Sequence, residues 1–371
     1  MSTLTQASKQ WANRPAEERF LSLPEMHSKA VADRAISRAL VTSSRKLRAV
    51  PAADNRGLVI EGAAGVQYAP THWAFGQAAA LTGAPAAYLR ELPAPLAADC
   101  LNFGFQCARA EDIGILLKRD GDAGAGELAG SISAVTGPKY GRIWNSDVLA
   151  ALIDRFGDGR TGDFRIPGEF GTEVEITRDN TTLFAGDRDM FVFLADEVNR
   201  IELPGRRDGQ AGELARGFFV SNSQVGAGAL RVKTFLFDYV CSNRIVWGAH
   251  ELDEIAIRHT ASAPDRFIDE VTPALVEYSR AASSETVGKL RGAQAQRIGD
   301  EERVNKFLAQ RFGPRVAERV KAAHMAEENR PIETLWDAVT GATAYAKSIQ
   351  FTADRVEFET KAGEILDLVE V

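Results

Sequence analysis

ELARGFFVSNSQVGAGALRVKTFLFDYVCSNRIVWG, Glu213 to Gly248, joins two structural periods through a small polar turn. Leu214 to Val220 reads as a strand, and Asn222 to Gly228 reads as a turn of Ser, Asn and Gly. Ala229 to Cys241 reads as an amphipathic helix that runs into Ser242, Asn243 and Arg244 and a short apolar run, Ile245 to Trp247. A polar turn between a strand and a helix start presents backbone N–H groups to an anion, or simply caps the helix. The stretch predicts an α+β fold: a mainly antiparallel, curved sheet with packed helices, followed by a helical C-terminal region.

The 371 residues are 45% hydrophobic and 26% charged, enough to bury one large core or two ordinary ones. No apolar run approaches the roughly 18 residues of a membrane span, and MSTLTQASKQW lacks the apolar core of a signal peptide, so a cytoplasmic protein is expected. Cys100, Cys107 and Cys241 form no CxxC pair and read as free buried thiols. His27, His72, His250, His259 and His324 offer no metal-ligand spacing, so neither a metal nor a cofactor is expected. A net charge of −7 argues against a protein that coats duplex DNA, although a local basic groove is compatible with it.

Along the chain, residues 1–45 read as an N-terminal helical segment, 46–262 as the α+β core and 263–371 as the helical region. Ser22 and Pro24 mark the start of a helix running through Ala39. Gly57 to Ala69 reads as a hairpin. His72 to Leu92 spells helix, tight turn, helix, with αα packing favoured over a DNA-reading helix-turn-helix. Ile113 to Lys118 and Gly130 to Val135 read as strands around a glycine-rich loop that fits no phosphate-binding pattern. Asn145 or Ser146 is expected to cap a helix through Phe156. Strands follow from Thr172 to Leu203, with Met190 to Leu194 central, and one more lies within His250 to His259. Beyond Pro264 the chain reads as helices broken near Gly299, Gly313 and Arg330.

Three segments together carry a resemblance: His72 to Asn102, Ile132 to Leu152 and Phe218 to Gly248, with ETLWDAVTGATAYA near the C-terminus fitting the same pattern. The chain resembles the phage/plasmid-like proteins of unknown function, whose hallmark is an Asn-Ser turn, a helix and a Cys-Ser-Asn-Gly tail. Arg244 stands where that tail usually has Gly. The resemblance implies a mobile-element origin and cytoplasmic work near DNA, with no established activity.

Lys139, Tyr140, Arg142 and Trp144 alternate cations with aromatics before a helix cap, a composition suited to stacking bases and neutralising phosphates, and equally to lids of a core. Arg216, Arg231, Lys233, Arg244 and Arg258 add cations along one rim, although Arg231 and Lys233 would face different directions on a helix. Asn222, Ser223 and Asn243 would orient a bound group through hydrogen bonds. The expectation is a nucleic-acid-binding protein, with single-stranded DNA the favoured partner and a homo-oligomer formed through the C-terminal helices. A non-enzymatic scaffold acting on a protein partner is the alternative. An enzyme is the third reading, resting on Cys241 with His250 or His259, or on Asp187 and Asp189 as metal ligands.

Overall fold

The computed structural model describes residues 14–54, 57–62, 65–119, 121, 123–167, 175–203, 212–238, 243–247, 255–280, 284–350 and 352–369. In chain order the strands begin with β1 (Arg19–Phe20), β2 (Ser37–Ser43), β3 (Arg48–Pro51), β4 (Leu58–Glu61), β5 (Gln67–Pro70), β6 (Asp112–Arg119) and β7 (Leu128–Thr136). They continue with β8 (Phe164–Arg165), β9 (Leu183–Ala185), β10 (Met190–Asp196), β11 (Ile201–Leu203), β12 (Gly212–Asn222), β13 (Leu230–Asp238), β14 (Asn243–Ile245) and β15 (Ile255–Ile257). The helices between them are α1 (Leu23–Ala35), α2 (His72–Thr82), α3 (Ala86–Glu91), α4 (Ala94–Cys107) and α5 (Asn145–Phe156). After β15 come α6 (Thr272–Arg280), α7 (Ser284–Ala295), α8 (Glu301–Phe312), α9 (Pro314–Glu328), α10 (Leu335–Ala346) and α11 (Thr352–Gly363). The protein is α+β, with a helical C-terminal region as expected.

Among the described residues the strands form two sheets. The smaller has the order β2-β6-β7-β5-β4-β3, and its β5–β7 pair is parallel. Phe75, Ala78, Leu101 and Phe105 from α2 and α4 seal one of its faces. The larger sheet runs β1-β9-β10-β12-β13-β14, with β8, β11 and β15 pairing on β10, β12 and β13. One face of β10, β12 and β13 presents Val192, Leu194, Phe218, Val220 and Val232 to α5 and the approach to α6. The other face presents Phe193, Phe219, Phe235 and Phe237, over which α11 places Val356. A strand buried on both faces has no polar side, which is why Met190 to Leu194 is a continuous apolar run at the sheet centre.

The structure corrects the reading of Ala229 to Cys241. Leu230–Asp238 is a strand, paired antiparallel with β12 from Ser221↔Arg231 to Leu214↔Asp238, while Cys241 lies outside the described residues. Leu230, Val232, Thr234 and Leu236 fall on one face at period two, and β-branched and aromatic side chains fit a pleated surface better than a helix. The apolar stretch Phe235 to Phe237 imitates a helical face because both sides of the strand are covered.

Other boundaries shift for local reasons. The first helix is capped by Ser22 as expected, yet it stops at Ala35, where Ser37 Oγ donates to Asp33 O at 2.7 Å and β2 begins. The N-cap of α5 is Trp144, and neither Asn145 nor Ser146 caps. Thr172 to Val174 lie outside the described residues, and Glu175 to Arg178 form no strand; the Thr177 amide donates to Asn180 Oδ1 at 2.7 Å in a turn. Cys107 is exposed at the end of α4, and Cys100 is half-buried. Among the described residues no helix is long and apolar enough to cross a membrane.

Candidate functional site

Register across the larger sheet sets out the site. Phe191 on β10 pairs with Ser221 on β12, which pairs with Arg231 on β13; the next row is Phe193, Phe219 and Lys233. Residues paired across strands share a face, and residues two apart on one strand share it too. Arg231 and Lys233 therefore point the same way, a correction that follows from the strand. The face that is apolar and largely aromatic under Val356 becomes polar at this end, and α11 roofs it. The result is a pocket of about 410 Å³, within the range of roughly 300–1,000 Å³ usual for small-ligand sites.

Its two walls differ in charge. The sheet side carries Arg188, Arg231 and Lys233 against Asp189, and Asp189 is also held by Arg14. The helix side carries Glu357, Lys361 and Glu364, with Lys361 bound to Glu357 at 3.1 Å. Ser221 and Ser223, 9% and 2% exposed, supply polar groups between the walls. Asp187 and Asp189 sit in the β9–β10 hairpin, where the Gly186 amide donates to Asp189 O at 3.0 Å. Asp187 faces Lys118 at 3.6 Å. Among the described residues no group of three or more His, Cys, Asp or Glu is placed to hold a metal ion.

Glu18 packs behind Asp189, with Arg14 at 3.4 Å. Burial pushes its carboxyl up to about 7; Arg14 opposes the rise, and Asp187, Asp189 and Glu17 add to it. The folded chain thus holds this proton more tightly than the unfolded chain, whose value is near 4.5. The stability it contributes is full below pH 4.5 and declines as the pH rises to about 7. Glu18→Gln should gain on the parent in urea midpoint between pH 5 and pH 8. A gap that is constant or shrinks over that window contradicts the assignment.

The segment from Lys139 to Trp144 forms a second cluster at the junction of the two sheets. Tyr140 stacks on His259 with ring centres 4.9 Å apart, and Arg142 lies over the Tyr140 ring at 5.1 Å. Arg34 and Arg142 lie over the Trp144 ring at 5.1 and 5.7 Å. These rings are already occupied by the chain's own cations and imidazole, the packing alternative for this motif. Burial pushes the Tyr140 hydroxyl up, against the opposing pull of Arg142 and a Gly226 backbone hydrogen bond. Burial also pushes His259 down, with the Gly141 carbonyl opposing and Arg142 adding. Lys139 is exposed beside the cluster.

A family model described as Domain of unknown function (DUF932) matches residues 175–360, half of the 371-residue chain. The chain belongs to this family. No curated protein and no solved structure matches it. The DUF932 region holds β9 to β15 and the helices as far as Thr360, so it contains all the pocket residues except Lys361 and Glu364. The cluster from Lys139 to Trp144 lies outside it.

Within the DUF932 region, the Asn-Ser turn is a brace between the sheets. Asn222 is 1% exposed and donates from Nδ2 to Ile143 O at 2.9 Å and to Asn145 Oδ1 at 2.8 Å. Ser223 Oγ donates to Arg188 O at 2.7 Å and accepts from the Ala227 amide at 2.9 Å. Tyr140 Oη donates to Ser223 O at 2.9 Å, and Trp73 and Gln77 donate to Val225 O at 3.1 and 2.8 Å. The Gly226 amide donates to Ser223 O, so this turn and the Ala227 amide close on themselves instead of cradling an anion.

The other sequence candidates scatter. Arg216 is 4% exposed on the opposite sheet face, over the Tyr278 ring at 5.5 Å, away from any rim. Trp247, at the end of the short apolar run, is buried and donates to Asp367 Oδ1 at 2.7 Å. Asn243 and Arg244 pair with Asp238 and Phe237 in β14, and their side chains lie outside the described residues. Arg258 is exposed beyond β15. The fold thus brings Arg231, Asn222 and Ser223 together at the pocket and gathers Tyr140, Arg142 and Trp144 elsewhere. Sequence reasoning missed Arg188, Ser221 and Lys361. For Ser221 the signal is its alternation with Phe219 on the strand; for the other two there is none.

Proposed function

We propose that the protein binds single-stranded nucleic acid without catalysis, DNA being the favoured form, as part of a phage or plasmid gene set in the cytoplasm. The observation that carries this is Arg231 and Lys233 projecting from one sheet face into the pocket beside Arg188, which gathers cations suited to phosphates on one wall. Local charge matters because the chain as a whole is at −7, so attraction has to come from this wall. Lys139 is exposed next to Tyr140, whose hydroxyl donates to the Asn-Ser turn at Ser223 O, and adds a cation on that side. The mobile-element setting rests on the segment resemblance, and self-association through the C-terminal helices belongs to the same reading.

Replacing Arg231 and Lys233 with Glu should weaken binding to a short single-stranded oligonucleotide at low salt by about tenfold or more, since each contact neutralises a phosphate. Arg231 is exposed and Lys233 half-buried, so the fold should survive the change. Unaltered affinity in a fluorescence-anisotropy titration would remove the pocket wall from the binding surface.

A further inference from the structure

Helix α4 leaves an apolar line on the surface that the core does not use. Its inner side buries Ala97, Leu101 and Phe105, while Leu96 and Phe103 on the outer side are 49% and 74% exposed. Cys100 is half-buried between them, and Cys107 is exposed at the end of the helix. Positions 96, 100, 103 and 107 follow the four-three-four spacing that keeps side chains on one line of a helix, the pattern of a seam between two helices. Single surface apolars need no explanation, but a continuous line with a largely exposed Phe ring marks a contact surface.

The charges beside this line point to what covers it. Glu91 stands just before α4 and Asp99 in its second turn, both exposed. Arg109 is exposed just beyond the other end, and Gln106 Nε2 donates to Arg45 O at 3.0 Å, which holds exposed Lys46 beside the last turn. Among the described residues none of Glu91, Asp99, Lys46 and Arg109 has an ionic partner within the chain. The helix dipole accounts for charges in the first and last turns, but Asp99 stands beyond the first turn. Acids at one end and bases at the other cannot meet on one helix; a second copy laid antiparallel brings each end onto its opposite. A two-fold axis across the middle of the line sets Leu96 against Cys107 of the second copy and Cys100 against its Phe103. The same axis carries the flank of Asp99 onto the flank that holds Gln106 and Lys46, because Asp99 and Gln106, seven apart, share one side of the helix.

We propose that α4 is the interface of a two-fold dimer, packed antiparallel on α4 of a second copy with Phe103 next to the axis. The proposal stands apart from the strand reading, and it places self-association on a different surface from the C-terminal helices. At 1.5 Å per residue the line spans about 16 Å, a short seam, so the dimer is reversible and dissociates on dilution.

The test is light scattering or sedimentation of the full chain over a dilution series. The parent should pass from dimer to monomer on dilution. Phe103→Glu should stay monomeric at every concentration, with the urea midpoint unchanged because the ring faces solvent. Asp99→Lys should weaken the dimer about tenfold by setting like charges together, and adding Lys46→Glu should recover most of that loss. Met325→Glu, on the exposed side of α9, should leave the dimer intact. A parent that is monomeric throughout overturns the proposal, as does a dimer that Phe103→Glu leaves unchanged. A dimer lost in Met325→Glu and kept in Phe103→Glu returns self-association to the C-terminal helices. A monomeric parent whose oligonucleotide binding is lost in Phe103→Glu assigns the ring to a strand and likewise overturns the dimer.

Discussion

Asp337→Ala should lower the unfolding free energy by about 3 kcal/mol, at the lower end of the 3–5 kcal/mol typical of a broken buried pair. The carboxylate is 1% exposed and accepts from Arg330 Nη2 at 2.5 Å and from the Glu333 and Thr334 amides at 3.0 and 2.9 Å. Thr334 Oγ1 accepts from the Asp337 amide in return, closing a capping box on α10. Removing the carboxylate orphans two amides; Arg330 is partly exposed and recovers some hydration, which is why the lower figure is expected. The consequence reaches the pocket, since α10 is almost wholly buried and α11 packs on it through Tyr345 and Phe358.

The same residue has a signature in pH. Burial acts to raise the Asp337 carboxyl, but the Arg330 and amide hydrogen bonds outweigh it and hold the group below the usual carboxylate range. Its stabilisation is therefore present above the unfolded value of about 3.9 and lost as pH falls through the folded value. Asp337→Asn should flatten the loss of stability below pH about 4. Urea titrations at pH 3 and pH 6 check this, and an unchanged acid slope contradicts the assignment.

Gly141→Ala is the second large effect, a destabilisation of about 3 kcal/mol, at the upper end for overpacking because the obstacle is backbone. A Cβ on Gly141 would overlap the Thr260 carbonyl oxygen and lie 2.7 Å from its carbon. The two segments meet closely because the Gly141 amide donates to His259 O at 3.1 Å, while His259 Nδ1 lies 3.1 Å from Gly141 O. Forcing them apart would also separate Tyr140 from His259. Guanidinium unfolding of the variant should show the loss, and a cost below about 1 kcal/mol would mean that the crossing relaxes cheaply.

Elements whose pattern is local were legible: the Ser22 cap, the hairpin around Gly57 to Ala69, the central strand at Met190 and the helix breaks at Gly313 and Pro314. Leu230 to Asp238 reads as a helix because burial on both faces hides alternation, leaving only the alternating cations Arg231 and Lys233 to disclose the strand. That error also hides the pocket, since two cations scattered around a helix become neighbours on a strand. The cations and rings from Lys139 to Trp144 were visible, but their partners Arg34 and His259 come from distant parts of the chain. Nothing near Ser221 in the chain announces that Val356 and Thr360 will roof it. Arg216 looks like a rim cation because sequence does not show which face of a strand is covered.

Salt dependence of single-strand affinity tests the central proposal most directly. With Arg188, Arg231 and Lys233 meeting phosphates, the logarithm of the association constant should fall against the logarithm of salt concentration with a slope of about −2, at roughly −0.7 per contact. Arg231→Ala should reduce that slope by somewhat under one. Affinity that is undetectable at low salt, or unchanged between low and moderate salt, would contradict nucleic-acid binding at this wall.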